Sequence, residues 1–384
     1  MASDAIVVGG GIVGLATALK LQEKQGNLNV MVIEKEPTFG HHQTGHNSGV
    51  IHSGVYYKPG SLKAQNCTNG YQMLTDFCDQ EAIPYELCGK VVVATEEWEI
   101  PILENIQQRG IENGLTNLKM LNSDELKSYE PHVRGVKGLH VPQTGIMDYK
   151  LMAERMAARI EQNGGILASG EAVKDIQLQP SHTLVKTSET NYETKLLVNC
   201  AGLYSDKIAK LTHPDLDYRI IPFRGEYFNL KPEAHHLINN LIYPVPDPNF
   251  PFLGVHFTRE IDGSIEAGPN AVFAFEREGY QRSDFNLKET MESLSWPGFQ
   301  KVATKYWRTG LGEMYRSFSK AAFTKALQKL VPDIRQHHLD TGGAGVRAQA
   351  CDRHGGLADD FVFFEDEGVV HVLNAPSPAA TSCL

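Results

Sequence analysis

The stretch DAIVVGGGIVGLATALKLQ, residues 4–22, decides the fold. Ala5 to Val8 form a continuous apolar run, the pattern of a strand buried in a parallel sheet. Gly9, Gly11 and Gly14 follow in GxGxxG register, and apolar residues then recur at Ile12, Leu15, Ala16 and Leu19 with helical spacing. Strand, glycine turn and helix in this order predict a dinucleotide site. The first glycine permits the turn, the second lets a pyrophosphate approach the backbone, and the third lets helix and strand pack closely. The helix N-terminus then presents its amides and dipole to the phosphates. A second strand, NVMVIEKE (29–36), places Glu34 twenty residues beyond Gly14, where a carboxylate accepts ribose hydroxyls.

A nicotinamide-binding domain would turn into another crossover helix at this point. Instead the chain continues EPTFGHHQTGHNSGVIHSGVYY (36–57), which is polar, glycine-rich and carries His41, His42, His46 and His52. A long functional loop is the economical reading. No metal is expected there, because adjacent histidines lack a zinc-ligand spacing and no cysteine or carboxylate completes the set.

Helical spacing returns in 60–83 and in 147–163, the latter stopped by Gly164-Gly165, and GKVVVAT (89–95) and TKLLVNCAG (194–202) read as strands. Between about 216 and 337 the texture changes to aromatic and β-branched runs punctuated by proline and glycine, FRGEYFNL, LIYPVPDP and FLGVHFTREIDGSIEAGPNAV, which predicts an antiparallel sheet. Amphipathic stretches follow around 287–307 and 319–330. From TGGAGVRAQ (341–349) onward the strand-and-glycine texture of the N-terminal part resumes. The expected organisation is a discontinuous nucleotide domain of 1–88, 148–215 and 338–384, interrupted by a substrate domain of 89–147 and 216–337.

The 384 residues are 41% hydrophobic and 21% charged, which places the chain outside the disordered regime, and its length suggests two or three domains. A net charge of −10 argues against a broad footprint for nucleic acid, so an anionic substrate would need locally placed arginines. Cys67, Cys78, Cys88, Cys200, Cys351 and Cys383 form no CxxC pair, and reduced thiols in a cytoplasmic compartment are expected. No run of about 18 apolar residues is present, so contact with a membrane, if made, is expected to be peripheral and at its inner face.

The pieces GGGIVG, HQTGHNSGVIHSGVYYKPGSLKAQ, PFRGEYF, YPVPDP, FLGVHFTREIDGS, GPNAV, GAGVRAQ and NAPSPAATS, taken together and in order, resemble the L-2-hydroxyglutarate dehydrogenases and oxidases of the FAD-dependent D-amino-acid-oxidase-like superfamily. The resemblance runs from residue 4 to the end. It implies an α/β fold in which an FAD-binding Rossmann-like domain of the GR2 type carries an inserted antiparallel-sheet α+β substrate domain. It also implies FAD as cofactor, oxidation of the dicarboxylate L-2-hydroxyglutarate to 2-oxoglutarate, and delivery of electrons to a membrane electron-transport acceptor such as a quinone, or to oxygen. An amine or amino-acid oxidase of the same superfamily, or a flavin-binding electron carrier without its own substrate, are the alternatives.

Oxidation of a 2-hydroxy acid needs a base for the hydroxyl proton, and neutral imidazole suits that task near pH 7. His52, in the loop that approaches the isoalloxazine in this superfamily, and His256, on the facing substrate sheet, are both candidates, with a preference for the sheet-borne His256. Carboxylates call for arginine, which binds them through two parallel hydrogen bonds. Arg347 of GAGVRAQ matches the position that holds a substrate carboxylate in the superfamily. Arg224 of FRGEYF is the second candidate, with Tyr227 as a hydroxyl donor, and Arg259 could hold a distal carboxylate or serve as a surface ion-pair residue. For FAD, the resemblance adds Thr44, Asn47 and Ser48 around the pyrophosphate and ring, Val173 at the adenine, Gly202 and Gly345 at close approaches, and Ser377, Ala379, Ala380 and Thr381 in a flavin-facing segment that leads into a last helix. Family members continue that helix, whereas this chain stops at Leu384, from which loose retention of FAD is expected.

Overall fold

The computed structural model describes residues 2–26, 28–247 and 253–384. Residues 248–252, which end YPVPDP and begin FLGVHFT, lie outside the described residues.

Strand Ala2–Val8 runs parallel to Val30–Glu34 on one side and to Asn191–Asn199 on the other. Its side chains alternate between two cores: Ala5 and Val7 pack under helices Ile12–Lys24 and Tyr149–Gln162, while Ile6 and Val8 face Ile176, Val185 and Ile208. Burial on both faces is why the strand reads as an unbroken apolar run. Ile166–Ser169 extends the parallel sheet beyond Val30–Glu34, and Val369–Asn374 extends it beyond Asn191–Asn199. A hairpin of Val173–Leu178 and Thr183–Thr187 adds to the other half of Asn191–Asn199, and Val362–Asp366 closes the edge.

Among the described residues the second sheet has nine strands. Leu339–Asp352 pairs antiparallel with Tyr218–Leu230 along nearly its whole length, and Val272–Phe273 and Ile265–Gly268 share the other edge of Tyr218–Leu230. The order continues through His256–Arg259, Leu241–Pro244, Lys90–Ala94, Lys137–Val141 and Lys119–Asn122. Leu241–Pro244 and Lys90–Ala94 run parallel, a departure from the antiparallel expectation. Helices Leu287–Leu294, Pro297–Phe318 and Lys320–Leu327 flank this sheet.

One expectation of domain organisation changes. The chain after 338 does not go straight back to the nucleotide sheet: Leu339–Asp352 is a strand of the second sheet, and the return comes with Val362–Asp366. Its glycines mimic the first domain's texture because the strand must pass close to other backbone; a Cβ on Gly345 would lie 2.6 Å from the carbonyl oxygen of His46. Residues 376–382 form successive turns, with the Ala379 amide donating to the Pro376 carbonyl and the Ser382 amide to that of Pro378. No helix among the described residues is long and apolar enough to cross a membrane.

Candidate active site

A cavity of about 1650 Å³ opens between the sheets, with walls drawn from both. At its nucleotide end Gly9 adopts φ +109°, and any side chain there would meet the Cys200 carbonyl oxygen at 2.5 Å. Gly14 lies against Gly9, where an added Cβ would fall 1.9 Å from the Gly9 carbonyl oxygen. Gly11 differs: its nearest neighbour to an added Cβ is Thr44 Oγ1 at 3.4 Å, so the space beside it belongs to the cavity. Gly11 is also the N-cap of helix Ile12–Lys24 and supplies no side-chain cap. Glu34 is held in place by the Gly10 amide at 2.6 Å and the Glu36 amide at 2.9 Å, and it lines the cavity.

These features fit a flavin dinucleotide. The tight turn, the bare Gly11 and a helix whose N-cap residue contributes no side chain suit a pyrophosphate, and Glu34 suits a ribose. Thr44, Asn47, Ser48, Val173, Gly202 and Gly345 all line the same cavity. Thr44 Oγ1 accepts from the Ile12 amide (2.9 Å), and Asn47 Oδ1 accepts from the Gly49 amide (2.8 Å), so the loop after Glu34 is fastened at both places. Ser377, Ala379 and Ala380 form wall on the far side, their small side chains leaving room. Thr381 does not reach the cavity: it is fully buried, and its Oγ1 accepts from the His52 amide at 3.0 Å and sits 2.9 Å from the Tyr149 hydroxyl. It therefore positions the His52 segment.

At the other end His52, Tyr227, Tyr243, His256 and Arg347 come together. The Nδ1–H of His256 donates to the Gly254 carbonyl at 2.9 Å, and its ring lies against Tyr243 with centroids 4.0 Å apart. A carbonyl only accepts, so Nδ1 carries the proton and the neutral ring keeps its lone pair on Nε2. Burial, opposed by the Gly254 bond and reinforced by the Arg347 and Lys90 charges, pushes the His256 pKa down to about 3. His52 is likewise pushed down to about 3 by burial and by Lys90 and His256. Its Nε2 stands 3.1 Å from Ser377 Oγ, a partner that can donate or accept and leaves its tautomer open. Arg347 faces Phe223 across the strand pair, and its charge acts on Tyr227, Tyr243 and His256. Burial holds both tyrosines protonated, so each remains a donor.

Lys90 was not among the residues expected from the sequence. It is buried, with its ammonium 4.3 Å from the Tyr56 ring centroid and 5.0 Å from that of Tyr243. Burial lowers its pKa to about 7. Both rings line the cavity, and the Tyr56 hydroxyl is buried without a hydrogen-bond partner among the described residues.

Other candidates are placed elsewhere. Arg224 is not a cavity residue. Its Nε and Nη2 donate to Glu226 Oε1 at 3.1 and 3.0 Å and its Nη1 to the carbonyls of Gly279 and Gln281, so its donors are spent inside the fold. Arg259 donates through both terminal nitrogens to Glu86, at 2.9 and 2.6 Å, and through Nε to the Asn239 carbonyl, which makes it the ion-pair residue of the two options. His42 joins Glu36 and Glu278, their donor atoms within 4.8 Å of one another, but the Lys35 ammonium pairs with both carboxylates and occupies the cation's place. His46 stacks on Tyr280 with centroids 4.3 Å apart.

Comparison with known proteins agrees with this geometry. Residues 4–384 match the family described as FAD dependent oxidoreductase. The chain is 58% identical over 380 residues to L-2-hydroxyglutarate dehydrogenase of Indibacter alkaliphilus, covering 99% of this chain and 95% of that one. It is 45% identical to the human mitochondrial L-2-hydroxyglutarate dehydrogenase, over 99% of this chain and 86% of that one. In fold it is similar to the dithionite-reduced L-α-glycerophosphate oxidase of Mycoplasma pneumoniae with FAD bound, at TM-score 0.82 and 24% identity, covering 100% of this chain and 92% of that one. A glycine oxidase from Geobacillus kaustophilus follows at TM-score 0.76 and 15% identity, over 100% and 91% of the two chains. With a glycine cradle, a flavin-sized cavity and full-length similarity in agreement, the chain belongs to the FAD-dependent oxidoreductases and, within them, to the L-2-hydroxyglutarate dehydrogenase family.

Proposed function

We propose that this protein oxidises L-2-hydroxyglutarate to 2-oxoglutarate and passes the electrons to a membrane-borne acceptor or to oxygen. The observation that carries the reading is the single cavity that joins the Gly9, Gly11 and Glu34 cradle to Arg347 and His256. The 58% identity to a dehydrogenase of that name supports the substrate.

Gly9, Gly11, Gly14 and Glu34 would hold FAD, which when bound would supply the two-electron acceptor for the hydride of the substrate Cα. Arg347 binds the C1 carboxylate through paired N–H donors and is assisted by the hydroxyls of Tyr227 and Tyr243. His256 Nε2 takes the hydroxyl proton as the carbonyl forms; the bond from Nδ1–H to Gly254 fixes the tautomer that leaves this nitrogen free. Lys90, behind Tyr56 and Tyr243, makes this end of the cavity positive and favours the second carboxylate. His52 is the other candidate base, and its contact with Ser377 favours a role in shaping the wall.

The test is stereospecific anaerobic reduction of the purified holoprotein. The L-enantiomer should bleach the flavin and the D-enantiomer, glycine, sarcosine and D-amino acids should not; bleaching by the amines alone would favour the amine-oxidase alternative.

A further inference from the structure

His41, His42 and His46 line the cavity, yet none of them has a part in the chemistry proposed above. Two of the three are held from outside, by the chain between strand Val272–Phe273 and helix Leu287–Leu294. Tyr280 stacks on His46, and its hydroxyl stands 3.2 Å from His42 Nδ1. Glu278 Oε1 lies 2.6 Å from the Lys35 ammonium, which also pairs with Glu36, and 3.7 Å from His42 Nε2. Glu36 Oε1 is 3.0 Å from the same nitrogen. Neither Glu278 nor Tyr280 borders the cavity, so both act on its wall from behind.

The same loop grips a second wall of the cavity, the segment after strand Asn191–Asn199. Arg277 donates through Nη1 and Nη2 to the two carboxylate oxygens of Asp206, at 2.6 and 2.9 Å, and through Nη1 to the Leu203 carbonyl. Leu203, Tyr204 and Lys207 border the cavity. The two walls also touch each other: the Lys35 ammonium is 5.2 Å from the Tyr204 ring centroid, and a Cβ on Gly202 would lie 3.0 Å from Gln43 Nε2. A third tie runs to the substrate sheet, where Arg224 Nη1 donates to the Gly279 and Gln281 carbonyls. These ties differ in strength. The side chains of Arg277 and Asp206 are 3% and 2% exposed, and their paired, charge-assisted bonds make a fixed end. Lys35, Glu278 and His42 are 31%, 29% and 20% exposed, so their contacts are individually weak and make the end that can open.

We propose that residues 277–281 are a clasp that closes the histidine loop over the dinucleotide, with Glu278 and Tyr280 as positioning residues that set how fast FAD enters and leaves. Thr44 of that loop accepts from the Ile12 amide at the helix N-terminus, which puts the clasped segment beside the pyrophosphate site. The proposal rests on FAD occupying this cavity and not on the substrate, and its test uses no substrate. A clasp raises a barrier common to entry and exit, so its loss should speed both, whereas loss of a direct contact speeds exit alone. Holoprotein is diluted to a nanomolar concentration and the rise of flavin fluorescence follows release; FAD mixed with flavin-free protein gives the association rate. The double variant Glu278→Gln, Tyr280→Ala should release FAD at least about tenfold faster than the wild type and bind it at least as fast. Tyr280→Phe keeps the stack on His46 and loses the hydroxyl beside His42, and should fall between the two. Release from the double variant within about twofold of the wild-type rate would overturn the proposal. So would faster release accompanied by slower association, the mark of a damaged site.

Discussion

The Nδ1–H of His256 donates to the backbone carbonyl of Gly254 across 2.9 Å. A base fixed in this way should be sensitive to removal but not to mild acid. Replacing His256 by Asn should lower kcat by about 10² to 10⁴ with flavin still bound, whereas His52→Asn should cost less. Because its pKa is pushed down to about 3, His256 stays in the proton-accepting form throughout the usual assay range. The log of kcat/KM against pH should therefore show no acid limb from this group between about pH 5 and pH 8. His52 is pushed down to about 3 as well, so the size of the loss separates the two: a larger fall in kcat for His52→Asn than for His256→Asn would transfer the role to His52.

Lys90 sets the opposite limb. Its ammonium is charged below about pH 7 and neutral above, so KM for a dianionic substrate should rise as pH passes through that value. Lys90→Met should show a higher KM that no longer varies there. Stability separates this role from a packing effect. A lysine whose pKa is depressed on folding costs stability in full below its folded value, and the cost fades as pH rises toward the unfolded value near 10.5. Lys90→Met should thus melt higher than the wild type at pH 7, with the gap narrowing at alkaline pH.

Arg224 and Arg347 sit on paired strands, one residue out of register, yet their substitutions should fail in different ways. Glu226 is buried, and although burial disfavours its charge, donors from Ser317, Arg282 and Asn270 and the Arg224 charge hold its pKa below the usual value. Arg224→Met removes two of that carboxylate's donors and those of the Gly279 and Gln281 carbonyls, with Ser317, Arg282 and Asn270 remaining, and should destabilise the fold by about 1 to 3 kcal/mol, read as a lower Tm. Arg347→Met should raise KM steeply with flavin still bound; an unchanged KM would remove Arg347 from the substrate site.

Gly11 and Gly14 give a matched pair for the cofactor. Gly14→Ala drives a methyl to 1.9 Å from the Gly9 carbonyl oxygen and should unfold or strongly destabilise the protein. Gly11→Ala meets only Thr44 Oγ1 at 3.4 Å, so the apoprotein should melt normally while its affinity for FAD falls, measured by titrating FAD into flavin-free protein.

The nucleotide half was legible in the sequence because its steric demands leave a residue-level trace: Gly9, Gly11, Gly14 and Glu34 occur at fixed offsets between a strand and a helix. The substrate half was legible only in part. His256 and Arg347, expected from their motifs, line the cavity, but Arg224 does not, and Arg224 and Glu226 stand two apart on one face of a strand, the spacing of a pair that neutralises itself. Lys90 was missed because a lysine opening GKVVVAT reads as a solvent-facing strand end. Its signal was that every following residue of that strand is apolar, which leaves no polar face for it to belong to. The strand Leu339–Asp352 misled because glycine marks a close approach to any backbone, and here the neighbour is the histidine loop and not a phosphate.

Oxidation of L-2-hydroxyglutarate by this protein is tested by mixing flavin-loaded protein anaerobically with L-2-hydroxyglutarate and following the flavin absorbance near 450 nm. Rapid bleaching by the L-enantiomer, with stoichiometric 2-oxoglutarate and no response to the D-enantiomer, is the predicted result. An oxidised spectrum that persists with both enantiomers would exclude L-2-hydroxyglutarate as the substrate.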